Sequence, residues 1–268
     1  MSNNGLRGRW ALILGASSGF GAAASRALAE VGMNIFGVHL DPRSRLSRAE
    51  AVIGDVEAAG CEAVFFNTNA ASERRRTRVL DRMERVLADD PAGYVHFMLH
   101  SLAFGSLLPF IADDPEEAIS ESQLDMTLRV MAHTLVYWVQ DLVRRDLLGP
   151  GSRVYALSSE GAERMAPHYG AVSAAKAALE SHMRQLTLEL GPRGVAVNCL
   201  RPGVTDTPAL RAIPGHEAYM QEALRRNPHG RLTTPEDVAA TLVALASPEI
   251  AWISGAVIPV DGGETVVG

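Results

Sequence analysis

The sequence predicts an α/β fold: a single doubly wound domain with a seven-stranded parallel sheet and helices on both faces. Three observations predict it. Seven short segments are apolar on both sides of the chain, as strands are when helices cover both faces of their sheet. Longer amphipathic segments separate them, and this strand–helix–strand order is typical of parallel strands joined by right-handed crossovers. No linker, internal repeat or change of composition divides residues 1–268, so we predict one domain.

Short apolar runs predict the strands, and amphipathic periodicity predicts the helices between them. In chain order, the predicted strands are Trp10–Leu14, Asn34–His39, Ala63–Asn67, Val95–Leu99, Arg153–Leu157, Val195–Leu200 and Ala256–Val260. The main predicted helices are Phe20–Val31, Ser72–Leu87, Gln123–Leu147 and Ser173–Leu190.

The charge of the chain argues against two classes of partner. A formal net charge of −6 disfavours nucleic acid and anionic membrane surfaces, both of which need a basic face on the protein. The arginine-rich segment Glu73 to Arg78 has helical periodicity, so we interpret it as the solvent-exposed face of a helix. We therefore expect neither a nucleic-acid nor a membrane partner.

The cysteines and the N-terminal residues indicate the compartment. Cys61 and Cys199 lie in apolar, strand-like surroundings, and no Cys/His cluster has metal-ligand spacing. We expect both thiols to be reduced core residues and expect no metal site. The first residues have no apolar signal core, and no apolar run is long enough to span a membrane. The expectation is a cytoplasmic protein.

A glycine-rich segment, GASSGFG, directly follows the first predicted strand. Its glycines are Gly15, Gly19 and Gly21. Glycine allows a tight turn and lets a pyrophosphate approach the backbone at a helix N-terminus, where free N–H groups favour anions. The same residues could serve only the close packing of a helix on a strand. Because a second strand starts soon afterwards, we predict a dinucleotide site of the Rossmann type.

The spacing G-x-x-x-G-x-G resembles that of the short-chain dehydrogenase/reductase superfamily, and the resemblance covers nearly the whole chain. Other similar segments are NTNA at 67–70, the serines at 158–159, VNCLRPGVTDT at 197–207 and ISGAVIPVDGG at 253–263. The resemblance implies that the backbone around Gly203 holds the nicotinamide and that Thr207 lies near its carboxamide and the phosphates. The cofactor-binding residues that it implies are Gly15, Ser17, Ser18, Gly19, Phe20, Gly21, His39, Arg43, Arg45, Asn69, Ala70, Ser101, Leu102, Ala103, Lys176, Pro202, Gly203, Val204 and Thr207.

The tyrosine of the candidate active site is displaced from its usual position in that superfamily. Most members have it four residues before the lysine, whereas here that position is Val172 and the tyrosine is Tyr169. The Y-x6-K spacing resembles the enoyl-acyl-carrier-protein reductases, a divergent branch. The segments GAER at 161–164 and LHSLAFG at 99–105 are also similar to that branch. Met131 aligns with the asparagine that serves a proton relay in ketone reductases.

This branch implies a reductase of the C2=C3 double bond in trans-2-enoyl thioesters, in fatty-acid or polyketide synthesis. Its substrate is a thioester, free or bound to an acyl carrier, and its assembly is a homotetramer. Ser159 stands where many enoyl reductases have a second tyrosine. A bacterial subset that uses NADPH also has serine there.

Lys176 is the only lysine among the 25 lysine and arginine residues. Two helical turns separate it from Tyr169, so both side chains project from nearly one face, roughly 10 Å apart along the axis. An ammonium favours the charged form of a nearby phenol, and the resemblance also assigns Lys176 to the nicotinamide ribose. A compact ammonium suits that position better than a wide guanidinium. We therefore interpret Tyr169, Lys176 and Ser159 as catalytic; the alternative for Tyr169 is a packed ring with its hydroxyl in solvent.

Cofactor preference depends on the end of the second strand. Enzymes that prefer NADH commonly have an acidic residue there, which binds the ribose hydroxyls. Here that position is His39, and Asp41 lies two residues beyond it. Arg43, Arg45 and Arg48 follow and could pair with the 2′-phosphate of NADPH, although they could instead cover the start of the next helix. We predict NADPH and keep NADH as the alternative.

Two other functions remain open. One is a carbonyl reductase or alcohol dehydrogenase of the same superfamily, which needs an acid to protonate an alkoxide. The other is a dinucleotide-binding regulator without turnover, because a fold alone does not establish a function. In each case we predict a mobile substrate lid at about residues 205–226, a segment rich in Pro, His and Arg. The apolar C-terminal tail is expected near a subunit interface.

Overall fold

Seven parallel strands form one sheet in the order β3-β2-β1-β4-β5-β6-β7. The computed structural model describes residues 5–88, 90 and 93–267. The strands are β1 (Trp10–Leu14), β2 (Asn34–His39), β3 (Ala63–Asn67), β4 (Val95–His100), β5 (Arg153–Leu157), β6 (Ala196–Pro202) and β7 (Val257–Val260). The predicted fold is confirmed, and four strands have the predicted bounds. The exceptions are β4, β6 and β7, whose ends differ by one or two residues.

Nine α-helices occur in the described part of the chain. They are α1 (Gly19–Glu30), α2 (Leu46–Ala58), α3 (Glu73–Leu87), α4 (Glu121–Leu128), α5 (Thr134–Arg144), α6 (Gly170–Leu190), α7 (Pro208–Arg211), α8 (His216–Arg226) and α9 (Pro235–Ala246). The segment predicted as a lid folds into α7 and α8.

The helix predicted over Gln123–Leu147 is interrupted, and this part of the prediction was wrong. A five-residue π-helix, Arg129–His133, separates α4 from α5. At its end, the hydroxyl of Thr134 donates a hydrogen bond to the carbonyl of Arg129, five residues earlier. Hydrophobic periodicity cannot reveal such an insertion, because it shifts the buried face by a single residue. π-turns of this kind occur frequently at functional sites.

Two apolar cores lie on opposite faces of the sheet. Trp10, Leu12 and Leu14 belong to the core formed with α3, α5 and α6. Their neighbours Ala11 and Ile13 belong to the core formed with α1, α2 and α9. All five residues of β1 are buried, because successive side chains of a strand point to opposite faces. The sheet is thus covered on both sides, as its apolar strands predict.

The carboxyl ends of the strands meet along one edge of the sheet. The order of the strands reverses between β1 and β4, and ligands of open parallel sheets bind in the crevice outside such a reversal. Gly15 follows β1 and Ser101 follows β4, so their backbones lie side by side at this crevice.

Three further expectations concern cysteines, metals and membranes. Cys61 and Cys199 are both free and buried. Among the described residues, no group of His, Cys, Asp and Glu side chains could hold a metal ion. No helix in this part of the chain has the length and apolar character needed to cross a membrane.

A glycine in β2 tests the packing between β2 and the edge strand β3. A Cβ added to Gly37 would lie 2.6 Å from the ring of Phe65 on β3, so the ring must move. We expect Gly37→Ala to lower the free energy of unfolding by about 1–3 kcal/mol. Gly54→Ala is the control: it lies on the exposed side of α2 with open space around it. There the change should raise stability by about 0.5–1 kcal/mol. Urea denaturation of both variants measures this; an unchanged midpoint for Gly37→Ala would contradict it.

Candidate active site

The glycine-rich segment brings the backbone of β1 into contact with the segment after β4. A Cβ on Gly15 would collide with the carbonyl of Ser101, and a Cβ on Gly21 would collide with the carbonyl of Gly15. Gly15 also has a φ of +93°, which side-chain-bearing residues rarely adopt. Only glycine fits at these two positions. The predicted residues Ser101, Leu102 and Ala103 follow β4 on the other side of this contact.

The N-terminus of α1 opens into a cleft beside this segment. Its N-cap residue, Ser18, makes no side-chain hydrogen bond to the first turn, so the side chain leaves these N–H groups free to bind an anion. The cleft has a volume of about 430 Å³, and its lining includes Ser17, Gly19 and Thr207. Thr207 caps α7, and its methyl group lies 3.6 Å from the place of a Cβ on Gly19. The residues of this cleft fit a dinucleotide pyrophosphate.

The end of β2 is held by a pair of polar side chains. Nδ1 of His39 lies 2.8 Å from a carboxylate oxygen of Asp41. The backbone of Asp41 is in turn bound on both sides by the amide of Asn67, at the end of β3. Arg43 and Arg45 are exposed, and neither forms an ion pair within the described residues. Asp41, two residues beyond the predicted position, therefore lies beside His39 with its carboxylate already hydrogen-bonded.

Asn69 and Ala70, two other predicted cofactor-binding residues, also form hydrogen bonds within the protein. The side-chain oxygen of Asn69 accepts a hydrogen bond from the backbone N–H of Ala71. The carbonyl of Ala70 accepts one from the buried indole of Trp138. These bonds hold the turn after β3 against α5, next to the end of β2.

A buried carboxylate supports the segment predicted to hold the nicotinamide. Glu264 is fully buried, and its Oε2 accepts a hydrogen bond of 3.2 Å from the backbone N–H of Val204. A Cβ on Gly203 would lie only 2.8 Å from the same oxygen. Burial raises the pKa of Glu264, while the Val204 N–H and the Arg226 guanidinium oppose the shift. Sequence reasoning missed Glu264, because nothing in its neighbourhood along the chain indicates this contact.

Arg226 connects the predicted lid to the same region. This residue ends α8, and its guanidinium donates to Glu264 at 3.3 Å and to Glu160 at 3.2 Å. Glu160 directly follows Ser159. The end of the predicted lid is therefore tied both to the segment around Gly203 and to the segment after β5.

Ser159 and Tyr169 come together at the start of α6. The Ser159 hydroxyl accepts a hydrogen bond from the Gly161 N–H, and it lies on the same side of Gly161 as the Tyr169 ring. The Tyr169 ring packs directly on Gly161, where a Cβ would lie 2.5 Å from the ring. Burial raises the pKa of Tyr169, and the nearby Ser159 hydroxyl partly offsets this. The phenol is thus protonated at neutral pH.

Lys176 lies two turns along α6, buried to 6% exposure. Its Nζ donates a hydrogen bond of 2.5 Å to the carbonyl of Leu157, at the end of β5. Burial lowers the pKa of Lys176 to about 8, against the opposing effects of Cys199 and Glu180. In this arrangement Ser159 is the group that lowers the pKa of Tyr169, whereas sequence analysis assigned that effect to Lys176.

A second buried network, also missed by sequence reasoning, stabilises the segment after β5. The Ser158 hydroxyl donates to a carboxylate oxygen of Glu180, one turn beyond Lys176, at 2.5 Å. Arg201 donates to the same oxygen at 3.1 Å and makes a two-pronged contact with Glu163. This network fixes both ends of the segment that carries Ser159.

Apolar side chains fill the positions where ketone reductases carry their tyrosine and asparagine. Val172 is 4% exposed and Met131 is 2% exposed. Both pack around Gly105, where a Cβ would lie 3.2 Å from Val172 and 3.1 Å from the Met131 sulfur. Neither position supplies an acid. Tyr169, the N-cap residue of α6, is the phenol that precedes Lys176 in this part of the chain.

Comparison with known proteins identifies the family of the chain. A family model described as Enoyl-(Acyl carrier protein) reductase matches residues 15–265. The 3-oxoacyl-acyl-carrier-protein reductase FabG of Pseudomonas aeruginosa is 30% identical over 258 residues, 96% of this chain and 98% of that protein. The 1-cyclohexenylcarbonyl-CoA reductase of Streptomyces collinus is 28% identical over 258 residues, 96% of this chain and 86% of that protein.

Among solved structures, the chain is similar to a short-chain dehydrogenase from Burkholderia cenocepacia J2315 in complex with NADP. The two are 28% identical with a TM-score of 0.81, over 97% of this chain and 99% of the other. The family model and these likenesses span the glycine-rich segment, Ser159, Tyr169 and Lys176 alike. The chain belongs to the short-chain dehydrogenase/reductase superfamily and matches its family described as Enoyl-(Acyl carrier protein) reductase.

Proposed function

We propose that this NAD(P)-dependent reductase reduces the C2=C3 double bond of a trans-2-enoyl thioester. One observation carries the proposal: the phenol at the start of α6 is Tyr169, two turns before Lys176, while the usual tyrosine position is the buried Val172. This spacing is the one that resembles the enoyl reductases. The family description and the relative named 1-cyclohexenylcarbonyl-CoA reductase also support reduction of a carbon–carbon double bond.

In this reaction the protein has to stabilise negative charge on the thioester oxygen. The reduced nicotinamide, when bound, supplies a hydride to C3 of the substrate. Tyr169 donates a hydrogen bond to the thioester oxygen as the enolate forms, which is where charge develops in the transition state. Its raised pKa keeps the phenol protonated for this task. Lys176 holds the nicotinamide ribose, and a proton reaches C2 from the phenol or from solvent.

Exposed apolar side chains near the site suit an acyl chain. Phe104, Phe110, Ile111 and Met165 all have large exposed areas. The ring of Phe110 lies 2.8 Å from the place of a Cβ on Gly170, the residue after Tyr169. Apolar surface of this extent at a site commonly binds an apolar ligand. We propose that α7 and α8 cover this surface as a lid, anchored through Arg226.

Reduction of a carbonyl group is the second candidate. The 3-oxoacyl reductase from P. aeruginosa, 30% identical to this chain, favours it. A protonated Tyr169 could donate its proton to an alkoxide. The substrate panel below separates the two reactions, and turnover of neither would favour a regulator without catalysis.

NADPH is the cofactor that we propose. The carboxylate of Asp41 is already hydrogen-bonded to His39, which leaves it a poorer acceptor for ribose hydroxyls. Arg43, Arg45 and Arg48 have no carboxylate partner in the described part of the chain, and Arg48 lines the cleft beside Ser18. A free guanidinium binds a phosphate through two parallel hydrogen bonds.

We also propose a homotetramer, as the resemblance implies. Trp252 is fully exposed and Val266 is 85% exposed. Large apolar side chains in water at the C-terminal end of the chain favour burial against another subunit.

The first test concerns the substrate and the phenol. With NADPH, we expect turnover of crotonyl thioesters and little turnover of a panel of ketones. Tyr169→Phe should lower kcat by roughly 10² or more, because the donor to the developing charge is lost. Its Kd for NADPH should stay close to that of the wild type. Tyr94→Phe is the matched control, since its hydroxyl bonds the carbonyl of Pro150 near the start of β4. Full activity of Tyr169→Phe would exclude its catalytic role.

The second test uses the ionisation of Lys176. Because its pKa is lowered to about 8, the ammonium is present below that pH and is lost as the pH rises above it. Affinity for NADPH should therefore fall as the pH rises from about 7 to about 9. Lys176→Arg and Lys176→Met should both bind NADPH weakly, and their affinity should not change over this pH range. Fluorescence titration across the pH range measures the Kd for NADPH. If the affinity of Lys176→Met still falls between pH about 7 and about 9, another group is responsible for the titration.

The third test concerns cofactor preference. We expect a higher kcat/KM with NADPH than with NADH. Arg43→Ala or Arg45→Ala should reduce the advantage by about tenfold if that side chain pairs with the phosphate. Arg75→Ala, on the exposed face of α3, makes the same change of charge away from the site and should leave the ratio unchanged. Equal or better efficiency with NADH would reverse the assignment in favour of Asp41.

A further inference from the structure

Among the described residues, two that are not glycine have a positive φ: Asp146, with a φ of +54°, and His168, with a φ of +60°. Residues with a side chain rarely adopt this conformation, because their Cβ crowds the backbone. His168 directly precedes Tyr169. Backbone strain persists only where the surrounding structure enforces it, and it is concentrated at active sites. The conformation of His168 therefore points to a role at the candidate active site.

His168 belongs to a turn of four residues, Ala166 to Tyr169. The N–H of Tyr169 donates a hydrogen bond of 3.2 Å to the carbonyl of Ala166 and closes the turn. Turns with a positive φ at the third residue favour proline at the second residue and glycine or asparagine at the third. Pro167 matches this pattern, whereas His168 takes the place that favours glycine. The His168 side chain is exposed, so its burial does not explain the conformation.

The backbone of Tyr169 is not helical either. Tyr169 is the N-cap residue of α6, with a φ of −101° and a ψ of 1°. These angles lie in the sparsely allowed region where many active-site residues are found. Val172, the usual tyrosine position, lies inside α6, where the helix sets the direction of a side chain. A tyrosine that precedes the helix depends on the turn for its direction instead.

The space around Tyr169 makes that direction exacting. Its ring packs on Gly161, where a Cβ would lie 2.5 Å from the ring. On the following residue, Gly170, a Cβ would lie 2.8 Å from the ring of Phe110. The carbonyl of Tyr169 accepts a hydrogen bond of 2.8 Å from the N–H of Ser173. A change of the backbone before Tyr169 would therefore move the phenol, and a displacement of about 1 Å can lower the rate of an enzyme by about 10²-fold.

We propose that His168 is a positioning residue for Tyr169: its positive-φ backbone shapes the turn that directs the phenol into the site. This role rests on the proposed function, in which the phenol of Tyr169 donates a hydrogen bond to the substrate. The backbone conformation carries the effect, and the exposed imidazole does not. Residues that adopt a positive φ readily, such as glycine and asparagine, therefore preserve the role.

The test makes the same substitution at both positive-φ residues. His168→Val and Asp146→Val should each lower Tm by about 2–5 °C, because a β-branched side chain is strained at a positive φ. Only His168→Val should lower kcat, by roughly tenfold or more, with a Kd for NADPH close to that of the wild type. His168→Asn should keep most of the wild-type kcat. Asp146 is a matched control because it is exposed and lies near the start of β4, where Leu147 pairs with Val95.

A double variant shows whether His168 acts through the phenol. In the Tyr169→Phe background, His168→Val should lower kcat no further, because the group that it positions is absent. The same fold loss in both backgrounds would overturn the proposal, and so would a wild-type kcat in His168→Val. An equal fall of kcat in Asp146→Val would assign the effect to general loss of stability. If His168→Val does not fold, His168→Ala, which is less crowded at a positive φ, decides by the same measurements.

The position of the ring can also be followed without turnover. The chain has five tyrosines, and in protein labelled with ¹³C-tyrosine the signal lost in Tyr169→Phe identifies Tyr169. That signal should shift in His168→Val and stay in place in Asp146→Val and His168→Asn; an unchanged signal in His168→Val would contradict the positioning role. Since kcat is measured on whichever substrate the wild type reduces, failure of the enoyl proposal and failure of the positioning role are distinguishable.

Discussion

The ammonium of Lys176, buried against the main-chain carbonyl of Leu157, is the contact on which the geometry of the candidate active site depends. A buried charge is unfavourable unless hydrogen bonds and opposite charge compensate it, and here the β5 carbonyl and the nearby Glu180 do so. The contact sets the position of α6 relative to the strand ends. Tyr169, directly before α6, packs its ring against Gly161 in the segment after β5, while Val172 turns into the apolar packing around Gly105.

The cofactor side of the crevice depends on backbone rather than on side chains. Gly15, Gly21 and Gly203 each lie where a Cβ would meet another group at less than contact distance. Such close approach exposes main-chain N–H groups, and these can bind a pyrophosphate or a nicotinamide amide without side-chain entropy loss. As a consequence, the neighbouring loops depend on hydrogen bonds from distant residues for their position. Glu264 gives that support to Val204, and Arg226 links both to the end of α8.

Two buried carboxylates, Glu180 and Glu264, thus have comparable roles on the two sides of the site. Glu180 pairs with Ser158 and Arg201 and holds the segment that carries Ser159. Glu264 holds the segment after β6. Removing one partner of a buried charge pair leaves the other uncompensated, which costs far more than the pair contributes. Both networks therefore restrict the positions of loops that would otherwise be free at the sheet edge.

The sequence by itself determined the sheet and the place of the glycine-rich segment directly after β1, because these follow from periodicity; the joint role of Tyr169 and Lys176 stays a prediction from their spacing. Four strands have the predicted bounds for that reason. Only the tertiary structure decided which groups act on those residues. Contacts such as Glu264 with Val204, or Arg226 with Glu160, join residues 60 or more positions apart. Likewise, the π-helix at Arg129–His133 and the packing of the Tyr169 ring on Gly161 depend on contacts between elements, which a local sequence pattern does not encode.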